Sequence, residues 1–205
     1  MRRSFINTLV KLSRNDSRII LLTGDLGYTV LEPFINEFPN RYINVGVAEQ
    51  NMVGIATGLA ESGLIPFVYS IATFATLLPY EFIRNGPILH NLPVKIVGVG
   101  SGFEYGTAGP THHCLEDLAI MRIQPGITVI SPADYEQTET ALINTWNLNC
   151  PVYYRIGKDD KSKIPGMNGE FELSKGNLVK NGDDILFVTI GSITKEVYLA
   201  AEKLE

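Results

Sequence analysis

Apolar positions along the chain alternate between two patterns. Phe5, Ile6, Leu9, Val10 and Leu12 recur at helical spacing, so residues 3–14 read as an amphipathic helix. Residues 18–23 (RIILLT) are a continuous apolar run stopped by Gly24-Asp25, the mark of a short buried strand. The alternation then repeats. Strands are expected at 42–45, 65–70, 94–99, 127–130 and 152–156. Helices are expected at 30–38, interrupted near its start by Pro33, and at 48–62, ended by Gly63. Further helices are expected at 74–90, kinked or split by Pro79, and at 115–121 and 135–146. A glycine-rich loop fills 100–113.

Strands alternating with helices imply a doubly wound, mainly parallel six-stranded α/β sheet with helices on both faces. In such sheets ligands sit beyond the carboxyl ends of the strands. That geometry singles out the loops at 24–29, 46–49, 70–74, 100–113 and 155–158. After Lys158 the character changes. Residues 159–169 are polar, carry Pro165, Gly166 and Gly169, and read as a linker. An extended segment at 171–179, an apolar strand at 185–192 and a helix at 193–204 follow. We therefore expect a first domain over 1–158 and, over 159–205, a linker with the first β-α unit of a truncated second domain.

Composition narrows the function. Of 205 residues, 45% are hydrophobic and 19% charged, which excludes disorder and permits a sizeable core. A net charge of −5 without a basic run argues against nucleic acid as a partner. No apolar stretch approaches the roughly 18 residues that a membrane span needs. Cys114 and Cys150 form no CxxC pair and suit a reducing, cytoplasmic setting. The basic start Met1-Arg2-Arg3 is followed by no apolar block, unlike a secretory signal.

The chemistry concentrates in INVGVAEQNMVGIATGLA, residues 43–60. A strand ends, Gly46 permits a tight turn, and Glu49 falls in the first turn of an otherwise apolar helix. Glu49 reads either as a cap and complement to the helix dipole or as a functional acid. Its apolar surroundings point to a partly desolvated site, where a carboxyl makes stronger hydrogen bonds. Such a group suits a weakly basic ring nitrogen. Aspartate, one methylene shorter, would hold its carboxyl too far back.

The block Gly46-Val47-Ala48-Glu49-Gln50-Asn51-Met52, with Gly54-Ile55-Ala56 and Gly58-Leu59-Ala60, resembles the pyrimidine-binding domain of the transketolase family. Gly109-Pro110-Thr111-His112-His113 with Leu115-Glu116-Asp117-Leu118-Ala119, and Val129-Ile130-Ser131-Pro132-Ala133-Asp134, agree with it in order and spacing. The resemblance covers about residues 2–158, and 185–204 is similar to the start of the family's carboxyl-terminal domain.

It implies thiamine diphosphate as cofactor. The glutamate matching Glu49 hydrogen-bonds the pyrimidine ring and favours the tautomer that deprotonates the thiazolium carbon. Phe74 matches an aromatic lining the pyrimidine pocket, with ordinary core packing as the alternative. Leu77 stands where a second aromatic is usual, and Tyr80 matches a third. Asp25 and Leu26 match the thiazolium side, with a plain turn residue as the alternative for Asp25. His112 matches a donor to substrate oxygens, giving Glu49 and His112 as the catalytic pair. Thr29, Arg155 and Arg2 fall near the sugar-phosphate ligands, although Arg2 is close enough to the terminus to fray.

Two departures put sugar specificity in question: Ala108 replaces an acidic residue, and Gly100 replaces a histidine. A third is larger. Gly24-Asp25-Leu26-Gly27 and Gly182-Asp183-Asp184 do not match the family's Gly-Asp-Gly diphosphate motif. This chain is thus expected to contribute no metal ligand. Mg2+ or Ca2+ would be held by a diphosphate-binding partner subunit or a missing amino-terminal domain. The implied protein moves a two-carbon ketol unit between sugars, with a sugar phosphate as substrate, and forms a homo-oligomer, in the simplest case a dimer. Two alternatives stay open: a beta-type subunit of a 2-oxo acid dehydrogenase decarboxylase, and a non-catalytic dimerising fragment.

Other signals fail. Gly98-Val99-Gly100-Ser101-Gly102 misses the dinucleotide fingerprint because Phe103 and Tyr105 stand where the third glycine belongs. His112-His113-Cys114 has no second ligand cluster for zinc. A G-x-S-x-G nucleophile elbow is absent.

Overall fold

A computed structural model describes residues 1–204. Six strands form one sheet: β1 (Ile19–Thr23), β2 (Tyr42–Asn44), β3 (Ile65–Ile71), β4 (Lys95–Val99), β5 (Thr128–Ile130) and β6 (Val152–Ile156). Their order is β2-β1-β3-β4-β6-β5, and every pairing is parallel. The strands β1 and β4 are buried at every position, which explains their unbroken apolar runs.

Helices cover both faces. On one side α1 (Arg2–Asn15), α2 (Glu32–Glu37) and α7 (Tyr135–Thr145) pack a core around Phe5, Phe34, Phe67 and Leu142. On the other, α3 (Glu49–Glu61), α4 (Ala72–Thr76), α5 (Tyr80–Ile83) and α6 (Asp117–Arg122) enclose Met52, Val53, Ile96 and Met121. The start of α7 is set by a reciprocal cap. Asp134 accepts from the Gln137 N–H at 2.8 Å, and the Gln137 side chain accepts from the Ala133 N–H at 2.8 Å.

The prolines act as local chemistry requires, with one difference. The helical stretch at 74–90 divides into α4, α5 and a π turn at Arg84–Ile88, with Pro79 just ahead of α5. Pro33 does not interrupt its helix. It lies in the first turn of α2, where its missing N–H goes unused in any case.

Residues 159–169 are not a loose linker. Ile164 and Met167 are buried, the Ile164 N–H donates to Asp134 at 2.9 Å, and Thr140 of α7 donates to the Gly169 carbonyl at 2.5 Å. No strand forms at 171–179 or 185–192 among the described residues. Ile185, Leu186, Phe187 and Val188 stay 46–88% exposed, because a strand needs a neighbouring ladder and none is present there. The last helix, α8, spans Thr194–Leu204. The amino terminus is tethered rather than frayed. Its ammonium donates to Asp160 at 2.7 Å and to the Asp159 carbonyl, and the Met1 sulfur accepts from the Gly157 N–H at 3.1 Å. No helix among the described residues is long and apolar enough to cross a membrane.

Candidate functional site

From β1 the chain passes to β2 on one side, while β3 lies on the other. The strand order therefore reverses at β1, and in such sheets ligands sit beyond the carboxyl ends of the strands at that switch point, here β1 and β3. Gly46 turns the chain out of β2 with φ +74°, a left-handed conformation that favours glycine. Glu49 follows as the first residue of α3 and is only 2% exposed. Its side chain does not cap the helix. Ser70 Oγ, near the end of β3, donates to Glu49 Oε1 at 2.9 Å. At the end of β1, a Cβ on Gly24 would lie 3.0 Å from the same oxygen, so glycine leaves room for the carboxylate. Among the described residues nothing donates to the other oxygen.

Asp25 and Asn44 brace this corner. The Asp25 carboxylate accepts from Asn44 at 2.9 Å and from the Tyr28 hydroxyl at 3.1 Å. These bonds, Asn44 first, hold it below the usual carboxylate range. Asn44 Oδ1 in turn accepts from the Asp25 N–H at 3.1 Å and the Gly46 N–H at 3.0 Å. Leu26 is half-buried against the core under α1, and its carbonyl accepts from Thr23 Oγ1 at 3.1 Å. Thr29 is exposed in a left-handed conformation, φ +67°, and its N–H donates to Glu32 at 2.7 Å.

The structure brings Phe74 and His112 together, edge to face, with ring centroids 5.2 Å apart. Tyr105 flanks the same imidazole at 5.7 Å. Phe74 is half-buried and belongs to neither apolar core. Leu77 is exposed, and Tyr80 is turned toward α6, donating to the Ile120 carbonyl at 3.2 Å and accepting from Gln124. Lys158 Nζ lies 4.1 Å from the Tyr105 ring centre. Burial pushes the Tyr105 phenol up, opposed by the nearby Arg2 guanidinium. Arg2 also approaches Asp160 at 3.7 Å. Arg155 faces inward: Nε is 2.7 Å from Asp117 and Nη2 is 3.4 Å from the Cys114 carbonyl.

Spacing did not reveal Ser70, Asn44, Tyr105, Asp117 or Lys158. Ser70, Tyr105 and Lys158 do lie in loops that the sheet geometry selects, and Asp117 stands in the family block at 115–119. What a strand-end side chain faces depends on the neighbouring strands, which periodicity does not specify.

A buried carboxylate, with one oxygen pinned by Ser70 and the other unbonded among the described residues, thus sits at the switch point of a parallel α/β sheet. The chain belongs to the transketolase family: residues 1–161 match the transketolase pyrimidine-binding domain. It is 36% identical, over 100% of its length, to the 6-deoxy-6-sulfo-D-fructose transketolase subunit SqwH of a Clostridium species, covering 64% of that protein. It is 35% identical to an apulose-4-phosphate transketolase subunit of Phocaeicola vulgatus, a match covering 97% of this chain and 64% of the relative. A solved split-gene transketolase, described as an inactive beta4 tetramer, superposes with a TM-score of 0.87 at 34% identity. That match covers 99% of this chain and 65% of the solved one. The chain thus spans slightly less than two thirds of these relatives. The family implies thiamine diphosphate, and the site fits its pyrimidine ring. Glu49 offers a free carboxylate oxygen from a water-poor corner, and Gly24 keeps that corner open.

Proposed function

We propose that this chain is the pyrimidine-binding half of a thiamine-diphosphate-dependent transferase that moves a two-carbon ketol unit between sugars or sugar phosphates. A diphosphate-binding subunit or amino-terminal domain completes it and holds the Mg2+ or Ca2+. The buried Glu49 carboxylate, pinned by Ser70 at the switch point, carries this reading. Two further facts support it. The relatives from Clostridium and Phocaeicola are named as transketolase subunits, and the similar solved protein is an inactive assembly of one chain type. The same description favours a homo-oligomeric arrangement of this half.

When bound, the cofactor supplies a carbon acid and an electron sink for breaking a carbon–carbon bond beside a carbonyl. Glu49 holds a proton against the pyrimidine nitrogen, using the oxygen that Ser70 leaves free. The buried Met52 and Val53 of α3 help keep water from that bond and so strengthen it. Phe74 offers a ring face or edge to the heterocycle, and Asp25, Asn44 and Leu26 shape the strand-end corner beside it. Leu77, just past α4, extends this wall, while Tyr80 at the start of α5 has its hydroxyl engaged by Ile120 and Gln124 and contributes its ring alone. His112, held between Phe74 and Tyr105, donates to substrate oxygens. The cations Arg2 and Lys158 bracket Tyr105 and suit the anionic end of a sugar phosphate, with Thr29 on the same rim of the sheet.

The test is Glu49→Gln in the complex with the diphosphate-binding partner, thiamine diphosphate and magnesium. Deuterium exchange at the thiazolium carbon, followed by NMR, is expected to slow about a hundredfold or more, with the fold intact by circular dichroism. Unchanged exchange would remove Glu49 from the chemistry.

A further inference from the structure

At the end of β6 lies a buried polar cluster that the cofactor reading does not use. Asp117, in the first turn of α6, is 0% exposed. Its Oδ2 accepts from Arg155 Nε and from the Tyr153 hydroxyl, each at 2.7 Å. Its Oδ1 is buried and has no partner among the described residues. Burial, reinforced by the Asp117 charge, raises the Tyr153 phenol well above its ordinary value, so the hydroxyl remains a donor. The guanidinium fork then reaches further: Nη2 donates to the Cys114 carbonyl at 3.4 Å.

Cys114 is the base of the loop that carries His112. Its carbonyl accepts from the Gly102 N–H at 2.8 Å, and its own N–H donates to the Gly102 carbonyl at 2.9 Å, which closes the loop. The Cys114 sulfur lies 3.9 Å from Thr76 Oγ1, on the helix that carries Phe74. The His112 side chain meets Thr111 Oγ1 at 3.0 Å and the rings of Phe74 and Tyr105, and its N–H donates to the Gly109 carbonyl at 3.0 Å; apart from Phe74, these neighbours belong to the same loop. Its position is therefore inherited from the closed base two residues on.

We propose that Asp117 is a positioning residue which, through the Arg155 fork and the Cys114 carbonyl, sets the place of His112 for the sugar substrate. The inference rests on the reading of His112 as a sugar-binding donor. Only arginine among the cationic side chains has a rigid planar fork that reaches the carboxylate and the carbonyl together. A lysine at this position keeps the ion pair with Asp117 and releases the loop base.

Arg155→Lys is the sharp variant. In the chain alone, amide exchange at Gly102 and Cys114 should accelerate about tenfold, with β4 amides still protected. In the complex, the KM for the ketose should rise about tenfold, while exchange at the thiazolium carbon, which Glu49 controls, stays at the parent rate. Because Asp117→Asn alone strands a buried cation, it is combined with Arg155→Gln; this pair should reproduce the loop opening and the KM rise. Asp117→Glu alone, which keeps a carboxylate beside Arg155, should retain part of the loop protection and of the parent KM. Loop protection and KM at parent values in Arg155→Lys and in the double variant would overturn the proposal. If the parent complex shows no exchange that depends on Glu49, the functional reading fails; the amide exchange at Gly102 and Cys114 still decides whether Asp117 holds the loop.

Discussion

Ser70 Oγ meets Glu49 Oε1 at 2.9 Å although the two residues are 21 positions apart, Glu49 after β2 and Ser70 within β3. The contact crosses β1, because β2, which delivers Glu49, and β3, which delivers Ser70, lie on opposite sides of it. The donor fixes which carboxylate oxygen stays free. Ser70→Ala is therefore expected to slow exchange at the thiazolium carbon about tenfold, as loss of one hydrogen bond to a charged group implies. NMR exchange rates on the assembled complex check this, and an unchanged rate would leave Ser70 as packing alone.

Gly24→Ala probes the same corner by size. The added methyl would lie 3.0 Å from Glu49 Oε1 and 3.3 Å from its carboxyl carbon. Gly24 does not use a left-handed backbone, so alanine meets no conformational penalty there. Crowding of about 1–3 kcal/mol should fall on the carboxylate. Cofactor affinity, read by calorimetry with the partner present, is expected to drop, and the melting temperature of the chain should fall by a few degrees.

Lys95 gives the protein an unusual alkaline response. Its ammonium is buried with no carboxylate partner among the described residues, donating to the Leu148 carbonyl at 2.6 Å and the Cys150 carbonyl at 2.9 Å. Burial lowers its pKa from 10.5 to about 8. Between these values the unfolded chain binds the extra proton, so stability rises with pH, by about 1 kcal/mol from pH 8 to 9. Cys114 acts oppositely. Burial pushes its thiol from 9.0 up to about 12, so the unfolded chain loses that proton first and stability falls above pH 9. Urea midpoints should thus climb between pH 8 and 9 and then level off. In Lys95→Met the climb should vanish; its persistence would place the titrating group elsewhere.

The two thiols should also differ in reactivity. Cys114 is fully buried and its thiolate is strongly disfavoured, whereas Cys150 is half-buried. Iodoacetamide at pH 8 is expected to modify Cys150 and to spare Cys114, as read by mass spectrometry of peptides. Equal labelling would show that the base of the His112 loop opens readily.

Much of the architecture was legible in residue order. Continuous apolar runs marked the buried strands, and the helical spacing around Met52, Val53 and Ala56 showed α3 with Glu49 in its first turn. The burial of Glu49 followed from the apolar character of the turns after it. The tether of the amino terminus was not legible, because Asp159 and Asp160 are brought to it only by the return of β6 beside β4. The order of residues 159–169 was hidden for a similar reason: their polar composition resembles a linker, yet Asp134, the cap of α7, and Thr140 within α7 supply an acceptor and a donor to them.

Sequence alone determined the alternation of strand and helix, the chain breaks at glycine and proline, and the family blocks around Glu49 and His112. These are local properties, set by side-chain period and backbone preference within a few residues. Tertiary structure decided that Ser70 faces Glu49, that Arg155 turns inward to Asp117, and that the apolar run at 185–188 finds no ladder. Those outcomes depend on which strand ends lie side by side, and strand order is a relation between distant parts of the chain that no local pattern encodes.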